Sequence, residues 1–427
     1  MASLRGILFY ILFTTILIRK TVTASSGGEN RTVKFSNPSL EKITNYRNVR
    51  GAFTVKNSPR DKSEEQNSKI ANLLNRTSLI AIPRFSLSKV QQHIKMDPKQ
   101  FQCTSEFEPL CINKTLTFKE KILQEFKRVR DELLIHDPNI YHINYKSSSN
   151  RNKTSAMCLL LKAKVQMLRK TNKPPFNSNL LGSLFPKQKF LAQHRGPNKT
   201  CVIVSSAGSM KKSKLGSFIN SHDIVLRFNH APTKTYEKDV GKKTTIRIVN
   251  SQVVSKAQFN FLNASIFQNI SIGIWDPGKY NASLSQWLSN PDFDLFTNYK
   301  AFMMRHPDAD VNVIDPRSIW RLWNALQDYT IESVVRKNPP TSGFIGIALL
   351  LPLCSHIDIV EYIPSTRLTS MCHYYDDEVN SGCTFGEWHP LAAEKLMVYD
   401  MNVASDFSVF QKGIVKVQGK RNKLCDK

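Results

Sequence analysis

The sequence predicts an α/β fold, a mostly parallel central sheet with helices on both faces, preceded by a poorly ordered stem. Two observations carry this expectation. After Thr200, short apolar runs rich in β-branched residues alternate with segments whose apolar positions recur at helical spacing, the signature of strands joined by crossover helices. Before about residue 140 the chain is polar, is punctuated by Gly27-Gly28 and Asp97-Pro98, and holds only scattered apolar clusters. With 427 residues, 41% of them hydrophobic, the chain can fill one large core behind such a stem.

Taken in order, the first helical pattern is Phe118–Leu134, where Phe118, Ile122, Phe126, Val129 and Leu133 share a face at the distal end of the stem. Met157–Leu168 predicts a second helix. Cys201–Ser205 predicts the first strand, Ser206-Ala207-Gly208-Ser209 a turn, Lys211–Asn220 a helix and Asp223–Phe228 the second strand. Further strands are expected at Thr244–Val249, Ile270–Trp275 and Ile357–Ile363, and helices at Ile319–Tyr329, Gly343–Leu353 and Pro390–Tyr399. Ligands on sheets of this kind bind beyond the carboxyl ends of the strands.

Three features indicate the secretory pathway. Residues Gly6–Ile18 form an apolar run of thirteen, flanked by Arg5, Arg19 and Lys20. A spanning helix needs about twenty residues, so the run suits a signal-peptide core or a short signal-anchor. Sequons stand at Asn30, Asn75, Asn113, Asn152, Asn198, Asn263, Asn269 and Asn281. Eight cysteines, none at metal-finger or redox spacing, read as disulfides in an oxidising lumen, with the pairing open. The division expected is residues 1–24 as signal-anchor or signal peptide, 25–140 as stem and 141–427 as the folded lumenal domain.

The net charge is +26, and its excess is N-terminal: from Pro138 to His222 there are fifteen Lys/Arg and no acid. Such a stretch is either a solvated basic stem or a footprint for an anionic partner such as a sulfated glycan or acidic membrane. No nucleic-acid module accompanies it.

Two segments look like seats for a phosphate. The turn at Ser205–Ser209 follows a strand and opens onto the expected helix, where unpaired N–H groups and a dipole end favour an anion. The run Asn338-Pro339-Pro340-Thr341-Ser342-Gly343 enters a second helix, with Thr341 or Ser342 as cap and Gly343 leaving room above the helix end. Asn229 and Asn250-Ser251-Gln252 sit where strand ends would place base- or sugar-reading groups. Asp292-Phe293-Asp294 and Asp308-Ala309-Asp310 have the D-x-D form of a metal clamp, but Asp is common in such loops for turn reasons, and no metal is expected. His389 precedes Pro390 at a helix mouth, away from a buried face, where the dipole would keep the imidazole neutral. Glu394, five residues on, is not assumed to touch it.

Together these residues resemble the eukaryotic sialyltransferases. Cys201–Gln252 is similar to the large sialylmotif, Asn338–Glu361 to the small one, His373-Tyr374-Tyr375-Asp376 to the third, and His389 with Glu394 to the very small H-x4-E motif. The wording is most like the β-galactoside α-2,6 branch. The resemblance implies a Rossmann-like glycosyltransferase domain of the GT-A-variant type. It implies a CMP-sialic acid donor, galactose- or N-acetylgalactosamine-terminated N-glycan acceptors, no cofactor, no metal and an inverting transfer. It also implies a single-pass type II protein of the Golgi membrane, held through its N-terminus if that is not cleaved, and otherwise secreted.

By motif position, Ser206, Ala207, Asn229, Asn250, Ser342, Gly343, His373 and Tyr374 would bind the donor. Gln252 and Trp388 would face the acceptor, and His389 would be the catalytic base. The family pattern also implies the disulfides Cys201 with Cys354, Cys372 with Cys383 and Cys158 with Cys425, leaving Cys103 to Cys111. Trp388 departs from the Tyr usual in that branch, which bears on acceptor preference. The alternatives are a sialyltransferase of another linkage and a secreted binder of anionic glycans.

Overall fold

A computed structural model describes residues 96–132, 138–146, 155–177, 180–196, 198–380, 382–419 and Cys425. The 1–24 segment with its apolar run, most of the stem, and the sequons at Asn30, Asn75 and Asn152 lie outside the described residues. Among those described, no helix is long and apolar enough to cross a membrane.

Seven strands form one sheet: β1 (Thr200–Val204), β2 (Ile224–Phe228), β3 (Ile246–Asn250), β4 (Ser271–Trp275), β5 (Val311–Val313), β6 (His356–Val360) and β7 (Ile414–Gln418). Their order is β5-β4-β3-β2-β1-β6-β7, parallel from β5 through β6, with β7 antiparallel on β6. The mostly parallel sheet expected from the sequence is therefore present. β5 and β7 go unread in the sequence: β5 has only three residues, and β7 alternates buried and half-exposed positions around Lys416, so neither forms a continuous apolar run.

Period-two alternation sends strand residues to two cores. Cys201, Ile203, Ile224, Leu226, Ile246 and Ile248 join the larger cluster on one face. Val202, Val204 and Val225 point the other way, to Met210, Ile219, Val240 and Tyr374. The longer helices are α1 (Pro109–Glu132), α2 (Ala156–Ala163), α3 (Leu295–Arg305), α4 (Pro316–Tyr329), α5 (Ser342–Leu350) and α6 (Leu391–Asp400). α5, apolar all round, is buried in the larger cluster, as an unbroken apolar helix must be.

Two helices differ from expectation. The Lys211–Asn220 helix exists only as Gly216–Asn220, because Lys212 and Lys214 have φ of 66° and 58° and their N–H groups donate to the Asp239 carboxylate at 2.8 and 2.9 Å. The Met157–Leu168 helix stops at Ala163, where Lys164 turns to φ 42°; Leu168 then donates its N–H to Val313 O at 2.8 Å, beside β5.

α1 lies within the stretch read as stem, yet Phe118, Ile122, Phe126 and Val129 are all 0% exposed within the larger core. Gln411 fastens the segment before α1 by accepting from Cys103 N–H at 3.3 Å and donating to Phe101 O at 2.9 Å. The packed unit thus begins well before residue 140, because the helical face seen in the sequence is a core face. Four disulfides close the described chain: Cys103–Cys111, Cys158–Cys425, Cys201–Cys354 and Cys372–Cys383. Cys201–Cys354 ties β1 to the approach of β6, the two strands between which the chain reverses its direction of travel across the sheet.

A fragment starting at residue 141 loses all of α1. Burial of its four core side chains contributes roughly 6–12 kcal/mol at about 1.5–3 kcal/mol each, comparable with the total stability of a domain. We expect that fragment to be insoluble or molten and one starting at residue 90 to melt cooperatively. Equal cooperative melting of the two in calorimetry would show that α1 is dispensable.

Candidate active site

The reversal of strand order between β1 and β6 makes a crevice at their carboxyl ends. Ser205 N–H donates to Val360 O at 3.1 Å, which joins the two strand ends. The chain then makes a single 3-10 turn, Gly208–Met210, in place of the expected long helix, so the dipole argument for a phosphate seat at Ser205–Ser209 loses its helix. What holds the turn is the third motif. Ala207 bridges His373 antiparallel, and Tyr374 N–H donates to Ser206 O at 3.2 Å. Gly208 has no room for a side chain, since a Cβ would lie 2.5 Å from Met371 O. The Cys372–Cys383 disulfide braces the same loop.

His373 donates from Nδ1 to the Asp376 carboxylate at 2.8 Å and stacks on Tyr375, 5.0 Å between centroids. Tyr374 is 2% exposed and its hydroxyl donates to Pro232 O, so its ring belongs to the core beneath the site. Burial pushes the Tyr374 hydroxyl up to about 12.

At the ends of β2 and β3, Asn229 takes φ 45° and its Oδ1 accepts from Asn250 N–H at 3.1 Å. Asn250 in turn caps the turn Ser251–Ser255, its Oδ1 accepting from Val253 N–H at 3.1 Å. With both oxygens engaged, each side chain is left presenting its amide NH2. Arg247 Nη1 donates to the carbonyls of Phe228, Asn229 and Ala231 at 3.3, 2.8 and 3.2 Å and so holds the turn that carries Asn229. Gln252 Oε1 accepts from Lys256 Nζ at 3.0 Å.

The mouth of α5 is built around a buried carboxylate. Thr341 caps the helix, accepting from Phe344 N–H at 3.1 Å. Glu394, 0% exposed, accepts from Thr341 N–H at 2.8 Å, Thr341 Oγ1 at 2.5 Å and the Tyr362 hydroxyl at 2.8 Å. Burial pushes the Glu394 carboxyl up to about 7, against the pull of these three donors. A Cβ on Gly343 would meet the Tyr362 ring at 2.8 Å, so the glycine makes room for that ring rather than for space above the helix end. Ser342 Oγ accepts from Trp275 Nε1 at 2.8 Å.

His389 lies two residues before α6 and donates from Nδ1 to Pro339 O at 2.7 Å. This fixes the tautomer and leaves the Nε2 lone pair as a proton acceptor. Its pKa is lowered to about 4 by burial, with the Arg336 charge adding to the effect and the Pro339 bond opposing it. Burial, which the sequence does not show, therefore favours the neutral imidazole. Glu394 does not meet His389; it secures the Thr341 end of the loop whose Pro339 carbonyl orients the ring.

Ser206, Ala207, His373, Trp388 and His389 line one cavity of about 380 Å³. It adjoins a second of about 170 Å³, bounded by Ser206, Thr341, Gly343, Tyr362 and Lys395. Neither cavity is lined by Asn229, Asn250, Gln252, Ser342 or Tyr374. Tyr141 went unread in the sequence: its ring stands 6.2 Å from Trp388, which is 42% exposed, and its hydroxyl donates to Asp292 at 2.7 Å. Both D-x-D segments are engaged structurally. Burial and the nearby Asp276 charge push Asp292 up to about 6, Asp294 caps α3, and Asp310 accepts from Ser271 Oγ at 2.6 Å.

The profile of glycosyltransferase family 29 (sialyltransferase) matches residues 147–405. Beta-galactoside alpha-2,6-sialyltransferase 2 of Danio rerio is 43% identical over 252 residues, 59% of this chain and 49% of that protein. Beta-galactoside alpha-2,6-sialyltransferase 1 of Mus musculus is 38% identical over 291 residues, 67% of this chain and 71% of that protein. The chain spans about half the length of the Danio rerio relative. A crystal structure of a mammalian sialyltransferase, 18% identical, superposes with a TM-score of 0.32 over 64% of this chain and 80% of that one.

Replacing Glu394 with Ala leaves the Thr341 and Tyr362 donors buried and unpaired, which we expect to cost about 3–5 kcal/mol. Glu394→Gln, which keeps the volume and one acceptor, should cost about 1–3 kcal/mol. Urea unfolding of the oxidised protein measures both; a loss below 0.5 kcal/mol for the Ala variant, on the order of a surface change, would contradict this account of the network.

Proposed function

The chain belongs to glycosyltransferase family 29, the sialyltransferases, and on that premise we propose that it moves sialic acid from CMP-sialic acid to the 6-hydroxyl of terminal β-galactose, or N-acetylgalactosamine, on glycoprotein glycans. The transfer is inverting and needs no metal ion. The observation that carries the reading is His389, with its Nδ1–H engaged by Pro339 O and the ring facing the cavity it shares with Ser206, Ala207 and His373.

In this reading the galactose hydroxyl attacks the anomeric carbon of sialic acid from the side opposite the phosphate. The carbon–oxygen bond to the phosphate breaks, CMP leaves with the bonding electrons, and His389 Nε2 takes the proton of the attacking hydroxyl. Holding the alcohol beside the base supplies a large part of the advantage. The backbone around Ser206 and Ala207 receives the phosphate, and the amide NH2 groups of Asn229 and Asn250, which line neither cavity, face the nucleoside. His373, oriented by Asp376 and lining the same cavity, stabilises the leaving charge in this reading. A single phosphate is within reach of such donors without a D-x-D clamp. Trp388 and Tyr141 offer an aromatic face beside the base for the acceptor sugar, with Gln252 on the acceptor side. The apolar run Gly6–Ile18 would tether the enzyme in the Golgi membrane as a type II protein, or be removed on secretion, and the four disulfides fit that lumen.

Purified lumenal protein, supplied with CMP-sialic acid and an asialo-glycoprotein in EDTA, should yield α-2,6-linked product; no product with any galactose- or N-acetylgalactosamine-terminated acceptor sinks the reading. His389→Gln should lower kcat by about 10²–10⁴-fold while CMP affinity changes less than about threefold. A variant with full kcat removes His389 from the chemistry.

Because the pKa of His389 is depressed to about 4, its basic form persists above that pH. The acid limb of kcat/KM, which reports the free enzyme, should therefore break near pH 4 and be flat between about pH 5 and 6 on this group's account. A break near 6.5 that vanishes in His389→Gln would show an ordinary solvated imidazole instead.

A further inference from the structure

The acid-free basic stretch is not absorbed by the transfer reaction, and the structure gathers part of it in one place. A groove of about 580 Å³ is walled by Arg169, Lys189, Arg195 and Arg317. Its floor is apolar: Leu168, Phe190, Leu191 and Leu353 are between 3% and 8% exposed. Leu349 and Leu353 place the groove at the C-terminal end of α5, opposite the end capped by Thr341. It is separate from both cavities of the candidate active site.

The charge balance in this groove is one-sided. Its single acid, Asp315, is 4% exposed and already paired with Arg317, at 2.5 Å between Oδ2 and Nη2, and it also caps α4. Arg169, Lys189 and Arg195 are exposed, and among the described residues no carboxylate lies within ion-pair distance of them. By contrast, at Lys212 and Lys214 the backbone is pinned by Asp239 at 2.8 and 2.9 Å, which sets an acid among those lysines. The groove thus gathers three exposed bases of the stretch with no acid among the described residues to offset them.

We propose that this groove binds a linear sulfated polysaccharide. Guanidinium and ammonium groups along its walls match a chain of sulfate esters, and the apolar floor suits the C–H faces of sugar rings. Concavity favours a flexible polyanionic chain over a membrane, because a flat bilayer would meet the rim and leave the floor of Phe190 and Leu191 untouched. The enzyme would then hold to sulfated glycans through a groove that shares no lining residue with the cavities of its transfer site.

The test uses the oxidised lumenal protein with heparin as the probe. In the triple variant Arg169→Ser, Lys189→Ser, Arg195→Ser we expect affinity at physiological salt to fall by about tenfold or more, and the slope of log K against log salt to fall by about two, as for lost phosphate-type contacts. The control triple Lys211→Ser, Lys212→Ser, Lys214→Ser removes the same charge elsewhere and should stay within about twofold of the parent. Equal loss in the two triples would show attraction by net charge alone and overturn the proposal. So would undiminished binding of desulfated heparin, or binding to phosphatidylserine vesicles that the groove triple abolishes. Transfer to a small asialo acceptor should be unchanged in the groove triple. Heparin binding is read without donor or acceptor, so a failure of the transfer assay leaves this result standing by itself.

Discussion

A single buried carboxylate holds the candidate site together. Glu394 projects from α6 into a space with no solvent and there accepts from the Thr341 N–H, the Thr341 hydroxyl and the Tyr362 hydroxyl. Those donors come from the mouth of α5 and from the chain just beyond β6, so α6 is locked against both. The link also closes a circuit: Pro339, two residues ahead of Thr341, receives the Nδ1–H of His389, which itself lies just ahead of α6. An imidazole in this position cannot rotate without breaking a 2.7 Å bond, and the carbonyl that receives it cannot move without pulling on Glu394. Burying an acid is costly unless its oxygens are well occupied. Here three donors occupy them, and the return on that arrangement is geometric rather than energetic: the tautomer and direction of the His389 ring are fixed.

How much of this was legible in the sequence depends on the length scale of the interaction. β1 to β4 and β6 are short apolar runs because both of their faces are buried, and that pattern is local. β7 escapes notice because an edge strand with one wet face carries half the signal. The α1 pattern was visible, but nothing local could tell a core helix from an isolated helix in a stem; the difference lies in α6 and the Asp406–Phe410 turn packing against it. The first half of the Lys211–Asn220 segment holds mostly acceptable helix formers, and it was Asp239, in the helical turn Glu237–Val240, that drew the N–H groups of Lys212 and Lys214 out of helical register.

Within the site, the residues legible in the sequence were those whose chemistry is unusual at their position: His389 before a proline, asparagines at strand ends, small residues in turns. What holds each of them in place was not legible. His389 looks from the sequence like a helix-mouth histidine, but its burial and its bond to Pro339, fifty residues back in the chain, carry no local signal. Tyr141 and Trp388 are partners only because the chain after α1 folds back over the loop that follows β4. The D-x-D segments illustrate the converse: three of their four carboxylates are engaged by a phenol, a helix cap and a serine hydroxyl, none of which spacing could reveal.

Electrostatics beneath the strand ends complete the picture. Arg227 and Arg247, register partners on β2 and β3, are each 1% exposed and are met by carbonyls and a threonine hydroxyl rather than by acids. Burial lowers them to about 10 and about 9, which still leaves both charged at neutral pH. Two uncompensated cations in a core are expensive, and a fold that only needed to pack would place aliphatic side chains there. Their carbonyl partners account for the positive φ of Asn229, since Arg247 grips the backbone on both sides of it. Their charge sets a standing positive field under the same turn, in low-dielectric surroundings where it is weakly screened. Any anion brought above that turn would meet a charge already in place. Shape and field therefore come from the same pair of residues.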